Sequence, residues 1–314
     1  MSSSLPRATL LITPAALSSR LGSPNLRILD ATWCMPGTPR DPAKEFLTGP
    51  RIQGAAGFWD VDDVADKGHP LGLKHMLPDA NIFANACSKL GIEDDSEVIV
   101  YDTHSVFSSP RTAFTFKAFA HRKVSVLDGG LPRWIAEGLP IEESEFSQPF
   151  KKCDYPTPAL DGNMIRSYEQ VTSNTQREAD SAEAELVLDA RPAGRFTGSV
   201  PEPRPGLSSG HMPHSVSLPF NDLRTAPSDT TPPYQSMLSA EALRQVVLKA
   251  LGGDSSKLQE VLEGRRGVIN SCGSGMTAAV IWLALQELGV NSSIYDESWT
   301  GYAMRHESKI LKDQ

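Results

Sequence analysis

The chain has 314 residues, of which 39% are hydrophobic and 22% charged, a composition typical of a globular protein of about two domains. Its formal net charge of -8 argues against non-specific binding to nucleic acids, which depends on clustered Lys and Arg. No apolar run approaches the roughly 20 residues that span a bilayer, and the first residues lack the basic and apolar regions of a signal peptide.

The opening segment, up to Leu21, contains Ser and Arg and no acidic residue, as mitochondrial presequences do. The stretch Pro14–Leu21 instead predicts a short helix that leads into a strand at Leu26–Asp30, so we assign it to the fold. We therefore expect a cytoplasmic protein, with a mitochondrial location as the alternative.

Short apolar segments of the first half recur in the same order in the second half, at an offset of roughly 160 to 170 residues. The pairs are Arg27–Ala31 with Leu186–Ala190, Arg51–Ala55 with His211–Ser215, Glu97–Asp102 with Gly267–Cys272, and Val124–Asp128 with Ser293–Asp296. The third pair precedes predicted helices at Ser109–His121 and Met276–Leu288. Strands that alternate with helices predict an α/β protein of two tandem domains, each a mostly parallel sheet with helices on both faces.

The join between the two units is predicted in the polar, proline-containing stretch Glu142–Gly162. We assign residues 1–143 to the first unit, residues 144–162 to a linker and residues 163–314 to the second unit. Two further proline-rich segments, Ser199–Gly210 and Thr225–Gln235, are predicted to be long loops of the second unit.

The clearest chemical signal is the sequence Cys-Gly-Ser-Gly-Met-Thr, which starts at Cys272 between a predicted strand and a predicted helix. Unpaired backbone N–H groups and the positive end of the helix dipole favour an anion there, and hence a nucleophilic thiolate. Gly273 and Gly275 allow successive N–H groups to point at one anion. The matching position of the first unit is Asp102, so only the second unit carries a nucleophile.

The other cysteines, Cys34, Cys87 and Cys153, are widely spaced and form no CxxC pair. The spacing predicts neither a disulfide framework nor a zinc site. We expect these three side chains to be small hydrophobic residues.

The duplicated unit and the Cys272 loop resemble the rhodanese family, and the loop CGSGMT is similar to that of the 3-mercaptopyruvate sulfurtransferases. The thiosulfate-specific members carry basic residues directly after the cysteine, whereas this chain has Gly273 and Ser274. The resemblance implies sulfur transfer from 3-mercaptopyruvate through a Cys272 persulfide, with no metal ion and no organic cofactor.

The resemblance also assigns site residues outside the cysteine. It implies that Asp62 and His75 relay protons together with Ser274, a task that suits a carboxylate-oriented imidazole. It further implies that Arg195 of Gly-Arg-Phe and Arg204 of Glu-Pro-Arg bind the substrate carboxylate, for which guanidinium groups are suited. The predicted loop contacts to the substrate are Gly273, Gly275, Met276 and Thr277.

One departure from the family pattern lies at Glu297-Ser298, where a glycine usually precedes the serine. We expect this change to alter a turn rather than the chemistry, with a tuned substrate preference as the alternative.

The expected sulfur acceptor is thioredoxin or another thiol, with cyanide and a sulfur-carrier protein as further possibilities. The alternatives within the fold are a thiosulfate sulfurtransferase and a non-catalytic rhodanese-like binding protein. Cysteine phosphatases of similar fold need an arginine that closes the loop, and Ala278 occupies that position here. This residue argues against phosphoryl transfer.

Overall fold

The computed structural model describes residues 9–181 and 183–313. Its first half contains the helices α1 Pro14–Ser18, α2 Pro42–Thr48, α3 Ala80–Lys89, α4 Ser109–Ala118 and α5 Gly130–Ala136. The strands of this half are β1 Leu11–Ile12, β2 Leu26–Asp30, β3 Arg51–Ile52, β4 Gly57–Phe58, β5 Glu97–Tyr101, β6 Val124–Leu127 and β7 Ile141–Glu142.

The second half repeats this succession of strands and helices. Its strands are β8 Ile165–Arg166, β9 Leu186–Asp189, β10 Ser215–Ser217, β11 Val268–Ser271 and β12 Ser293–Tyr295. Its α-helices are α6 Tyr168–Thr175, α7 Ala193–Thr197, α8 Ala240–Ala250, α9 Ser255–Leu262, α10 Ala278–Glu287 and α11 Ser298–Ala303. Short 3-10 turns lie at Gly162–Met164 and Phe220–Leu223.

Each half builds a five-stranded, all-parallel sheet in the described part of the chain. The strand order is β1-β6-β5-β2-β4 in the first sheet and, read in the matching direction, β8-β12-β11-β9-β10 in the second. The two orders correspond strand for strand. This topology confirms the predicted tandem α/β fold, and it places the end of β5 in the first half where the end of β11 lies in the second.

The two halves pack against each other through α4 and α10. The residues from Ala278 to Leu285 are buried on every side of α10, as expected of a helix that is apolar all round. Phe114 of α4 meets Trp282 of α10 edge-on, with ring centroids 5.3 Å apart. Because both helices directly follow the loops at Asp102 and Cys272, their packing holds the two loops in a defined relation.

Some predicted helix limits are wrong by a few residues. Helix α1 ends at Ser18 rather than Leu21, and α4 ends at Ala118 because Ala120 adopts a left-handed φ of 59°. Helix α10 starts at Ala278 rather than Met276, because the Ala279 and Val280 N–H groups close tighter three-residue turns onto the carbonyls of Met276 and Thr277.

Residues 143–161 contain neither helix nor strand, and they run along the first half. The Cys153 N–H donates to the Ser88 carbonyl at 3.1 Å, and the Asp161 N–H donates to the Ala118 carbonyl at 2.8 Å. The limits of the two units stay a prediction, and positions 1–8, 182 and 314 of those units lie outside the described residues. None of the helices in the described ranges combines the length and apolar character needed to cross a membrane.

Candidate active site

The loop that begins at Cys272 lies at the carboxyl end of β11, in the middle of the second sheet. The Cys272 side chain is 1% exposed. Its backbone N–H donates to Ser298 Oγ at 3.2 Å, and the same hydroxyl lies 4.0 Å from Cys272 Sγ. The thiol is therefore held between the end of a strand and the start of α10, shielded from bulk water.

The backbone amides of the loop are free to bind a ligand. Among the described residues, none accepts a hydrogen bond from the N–H groups of positions 273–277. The carbonyl groups hold the loop instead: Gly273 O accepts from Thr300 N at 3.0 Å and from Thr300 Oγ1 at 2.6 Å. A run of unpaired N–H groups beside a thiol is suited to stabilising an anionic sulfur.

The two arginines that are predicted to bind the substrate carboxylate converge on Gly273, the residue after Cys272. A Cβ atom added at Gly273 would lie 3.2 Å from Arg195 Nη2 and 3.3 Å from Arg204 Nη1. Two guanidinium groups thus flank the residue next to Cys272, although the loop itself carries no charge. A glycine here leaves the room that both side chains use.

The two arginines differ in how the protein holds them. Arg195 forms an ion pair with the buried carboxylate of Glu202, which Arg191 also contacts at 2.8 Å. The guanidinium of Arg204 has no hydrogen bond or ion pair with another described residue, and it lines a cavity of about 210 Å³. Arg195 is therefore preorganised, whereas Arg204 can adapt to a ligand.

Arg191 anchors this arrangement and was not singled out by the sequence. Its guanidinium is 1% exposed, pairs with Asp189 at 2.6 Å and stacks over the Trp299 ring at 4.1 Å. Since Glu202 bridges Arg191 and Arg195, the position of a candidate substrate ligand depends on a second buried arginine. In the sequence, the position of Arg191 directly after a predicted strand could have drawn attention to it. The residues that its guanidinium contacts could not have been predicted.

His75 and Asp62 are brought together by the segment between β4 and α3. Asp62 Oδ1 lies 2.6 Å from His75 Nδ1, although the two groups are not aligned as in a regular hydrogen bond. Trp33 Nε1 donates to Asp62 Oδ2 at 3.1 Å, and the Trp33 ring meets the His75 ring edge-on at 4.8 Å. Burial alone would raise the pKa of Asp62, but the contacts with His75 and Trp33 hold it below its ordinary value.

Ser274 is 9% exposed and lines the same cavity as Arg204, together with residues 71–74 of the first half. Its hydroxyl makes no hydrogen bond to another described residue, and none connects it to His75. The Asp62–His75 contact of the predicted relay is thus present, whereas the link to Ser274 is not made in this structure. Catalytic hydrogen bonds of this kind often close only around a substrate.

Two further predicted contacts occupy the back of the loop. Met276 is buried and packs with Trp33, Val61 and Phe107 of the first half. Thr277 is the N-cap residue of α10, and its side chain makes no capping hydrogen bond. Met276 therefore lies where it joins the two halves, and Gly275 supplies the left-handed turn between these residues and the cysteine.

Arg111 of α4 connects the two halves at the site and was missed by the sequence analysis. Its buried guanidinium donates to the His75 carbonyl at 2.5 Å, to Asp296 Oδ1 at 2.7 Å and to the Gly275 carbonyl at 3.4 Å. Asp296 Oδ2 in turn accepts the Leu77 N–H at 2.8 Å. One arginine thus sets the distance between the histidine segment and the cysteine loop.

Glu297, the departure from the family pattern, directly precedes the serine that contacts Cys272. Glu297 forms an ion pair with Arg305 and lies 3.6 Å from His69. The left-handed φ of 50° falls on the neighbouring Ser298, whose hydroxyl reaches Cys272. That the change alters a turn rather than the chemistry stays a prediction.

Residues 13–137 match the family model of the rhodanese-like domain. The chain is 36% identical, over 90% of its length and 89% of the relative's, to a probable 3-mercaptopyruvate sulfurtransferase of Schizosaccharomyces pombe. It is 33% identical to thiosulfate/3-mercaptopyruvate sulfurtransferase 1, mitochondrial, of Arabidopsis thaliana, over 94% of this chain and 76% of that protein. The crystal structure of SseA from Escherichia coli, a 3-mercaptopyruvate sulfotransferase with the rhodanese fold, superposes with a TM-score of 0.73 at 30% identity, covering 93% and 99% of the two chains.

Proposed function

The chain belongs to the rhodanese-like sulfurtransferases, and on that basis we propose that it transfers sulfur from 3-mercaptopyruvate, through a persulfide on Cys272, to a thiol acceptor. The observation that carries the proposal is the combination of a shielded cysteine, free amides at positions 273–277 and two converging guanidinium groups. These groups match an anionic sulfur and a substrate carboxylate respectively.

In the first step, the Cys272 thiolate attacks the sulfur of 3-mercaptopyruvate. An S–S bond forms, the C–S bond of the substrate breaks, and its electron pair leaves as the enolate of pyruvate. The enolate takes up a proton to become pyruvate, and the transferred sulfur stays on Cys272 as a persulfide. The free amides of the loop stabilise the negative charge of this sulfur.

Arg195 and Arg204 bind the substrate carboxylate, because their guanidinium groups lie beside the residue that follows the nucleophile. Proton transfer falls to Ser274, with His75 oriented by Asp62. In this scheme Gly273, Gly275, Met276 and Thr277 form the wall of the substrate site. No step requires a metal ion or an organic cofactor.

In the second half of the reaction, an acceptor thiolate attacks the outer sulfur and releases the Cys272 thiolate. The proposed acceptor is thioredoxin or another thiol, with cyanide and a sulfur-carrier protein as further candidates. The proposed location is the cytoplasm or the mitochondrion. The name of the Arabidopsis relative, which includes the word mitochondrial, supports the mitochondrion.

Thiosulfate is the second candidate donor, and one observation favours it. The loop residues Gly273 and Ser274 are neutral, yet Arg195 and Arg204 bring two positive charges to the same place. The thiosulfate dianion would be attracted by them.

The test compares the two donors on one preparation, as pyruvate release from 3-mercaptopyruvate and as thiocyanate formation from thiosulfate and cyanide. We expect a kcat/KM at least tenfold higher for 3-mercaptopyruvate. Intact-mass analysis after treatment with 3-mercaptopyruvate should show one added sulfur, mapped to Cys272. A preference for thiosulfate would reverse the choice of donor, and sulfur on another cysteine would refute the proposed nucleophile.

A further inference from the structure

The first half contains a cavity of about 280 Å³ at the carboxyl ends of β2 and β5. Its polar wall is formed by Asp30, Thr32, Arg40, Glu45 and Thr103, and its apolar wall by residues of α2 and α5. Thr103 follows Asp102 as Gly273 follows Cys272. The cavity is therefore the counterpart, in the first half, of the cleft beside the candidate nucleophile.

The backbone next to Asp30 has the same hydrogen-bond pattern as the backbone next to Asp189 at the end of β9. The next residue, an alanine in both halves, donates its N–H to the adjacent strand at 2.8 Å in each case. The residue after it donates its N–H to the aspartate Oδ1 at 2.9 Å, again in both halves. The two aspartates thus occupy equivalent positions, and their environments can be compared directly.

In the second half, the carboxylate of Asp189 is neutralised by the guanidinium of Arg191. In the first half the residue equivalent to Arg191 is Thr32, whose hydroxyl and N–H both bind Asp30 Oδ1. No described Arg, Lys or His forms an ion pair with Asp30, which is only 3% exposed. The place that a guanidinium fills in one half is thus bordered by an open cavity in the other.

The remaining charges of the cavity also differ from those of the second half. Glu45 precedes Phe46 of α2 as Arg195 precedes Phe196 of α7, so an acid replaces a substrate-binding arginine. Arg40 is engaged by Glu45, by Thr103 at 3.1 Å and by His104 at 3.0 Å. Because Arg40 is paired with Glu45, no cation among the described residues forms an ion pair with Asp30.

We propose that this cavity is a second ligand site, and that it binds a small organic cation whose amidinium, guanidinium or ammonium group pairs with Asp30. The apolar body of the ligand would lie against Phe46, Leu131 and Ile135. The volume is at the small end of ligand pockets, which typically measure about 300–1,000 Å³. Arg191 on Asp189 is the internal model of the contact, since it shows a guanidinium bound to the same position of the same fold.

Binding is measured by calorimetry with benzamidine, a flat amidinium with an apolar ring. Benzamide is the neutral control of the same shape, and benzoate is the anionic control. We expect benzamidine to bind the wild-type protein and the two controls to bind at least tenfold more weakly, because the pair with Asp30 is charge-assisted. Equal binding of benzamidine and benzamide would overturn the proposal, as would no detectable binding of benzamidine.

Two variants localise the ligand. Asp30→Asn should weaken benzamidine binding at least tenfold while leaving the kinetics with 3-mercaptopyruvate unchanged, whereas Asp154→Asn, the same change at an exposed acid outside the cavity, should leave both unchanged. Thr32→Arg places a guanidinium where the second half has Arg191, and it should abolish benzamidine binding without lowering the Tm. Undiminished binding by Thr32→Arg would overturn the proposal even if Asp30→Asn failed to fold.

Discussion

The loops that follow β5 and β11 occupy equivalent positions in the two halves, but they differ in what their backbone N–H groups bind. In the first half, the Asp102 carboxylate accepts the N–H groups of His104, Phe107, Ser108 and Ser109 at 2.8 to 3.0 Å. In the second half, Cys272 stands at the equivalent position and the amides of the loop remain free. The first loop shows that this strand–loop–helix unit binds an anion, and it supplies the anion from its own side chain.

Under the proposed mechanism, the comparison explains why the half with Cys272 reacts and the half with Asp102 does not. A carboxylate that already accepts backbone N–H groups has no nucleophilic role, and it leaves these groups unavailable to the anion of a substrate. A thiol in the same frame leaves the N–H groups available until sulfur is transferred. The free amides are thus reserved for the persulfide and for the charge that develops as it forms.

The largest expected effect is on activity, from removal of the group that distinguishes the two loops. Cys272→Ser should abolish sulfur transfer from 3-mercaptopyruvate, by at least about a thousandfold, because the persulfide cannot form. Cys153→Ser, which changes a cysteine outside the loop, should keep most of the activity. The measurement is pyruvate release by both variants. Substantial activity of Cys272→Ser would show that Cys272 is not the nucleophile that distinguishes the second half from the first.

The second effect is on stability and acts on the other loop. Asp102→Ala should destabilise the protein by about 3 kcal/mol or more, because it leaves several buried N–H groups without an acceptor. Cys272→Ala should cost about 1 kcal/mol, since its loop amides have no acceptor in the free protein. Thermal unfolding of both variants measures the contrast. An equal loss of stability in the two variants would show that the side chain at this position is equally important for the stability of both loops.

A third prediction separates the two arginines of the reactive half. Arg204→Ala should raise the KM for 3-mercaptopyruvate about tenfold or more, through loss of a charge-assisted contact worth about 1.5–3 kcal/mol, and leave the Tm unchanged. Arg195→Ala should have a similar kinetic effect and also lower the Tm, because the buried Glu202 loses one of its partners. Steady-state kinetics and thermal unfolding are compared on the same preparations. An unchanged KM in both variants would remove the arginines from the substrate site.

The smallest effect concerns the unpaired acid of the first half. Burial, together with the nearby Asp102, raises the pKa of Asp30 to about 7, against the lowering effect of the bonds from Thr32. Tyr101 lies beside the carboxyl group, and Arg40 faces it across the cavity. The folded state therefore binds this proton more tightly than the unfolded state does. The stability that Asp30 contributes is fully present below the ordinary carboxyl pKa of about 4 and is lost as the pH rises through about 7.

Asp30→Asn removes this dependence. Relative to the wild type, the variant should gain about 2–4 °C in Tm between pH 6 and pH 8, the equivalent of about one pKa unit in a chain of this size. Asp154→Asn serves as the control and should show no such gain. A constant difference in Tm across this range would mean that Asp30 titrates as an ordinary carboxyl group.

Much of this protein could be predicted from local patterns. The repeated apolar runs indicated two parallel sheets, because a buried strand and its crossover helix have distinct periods in the sequence. The Cys272 loop could be recognised because its strand, its glycines and its helix are contiguous. The arrangement of its backbone amides therefore depends on a few consecutive residues. The contrast with Asp102 followed from aligning the two halves.

What only the tertiary structure decided are the contacts between distant segments. Arg111 binds Asp296 from 185 residues away, and Asp62 meets His75 only because the intervening segment folds back. The cavity at Asp30 is likewise invisible in the sequence, since its walls come from β2, α2, α5 and the loop at Pro232. Periodicity reports which face of an element is buried, but it does not report what that face meets, and the partners of buried charges depend on that packing.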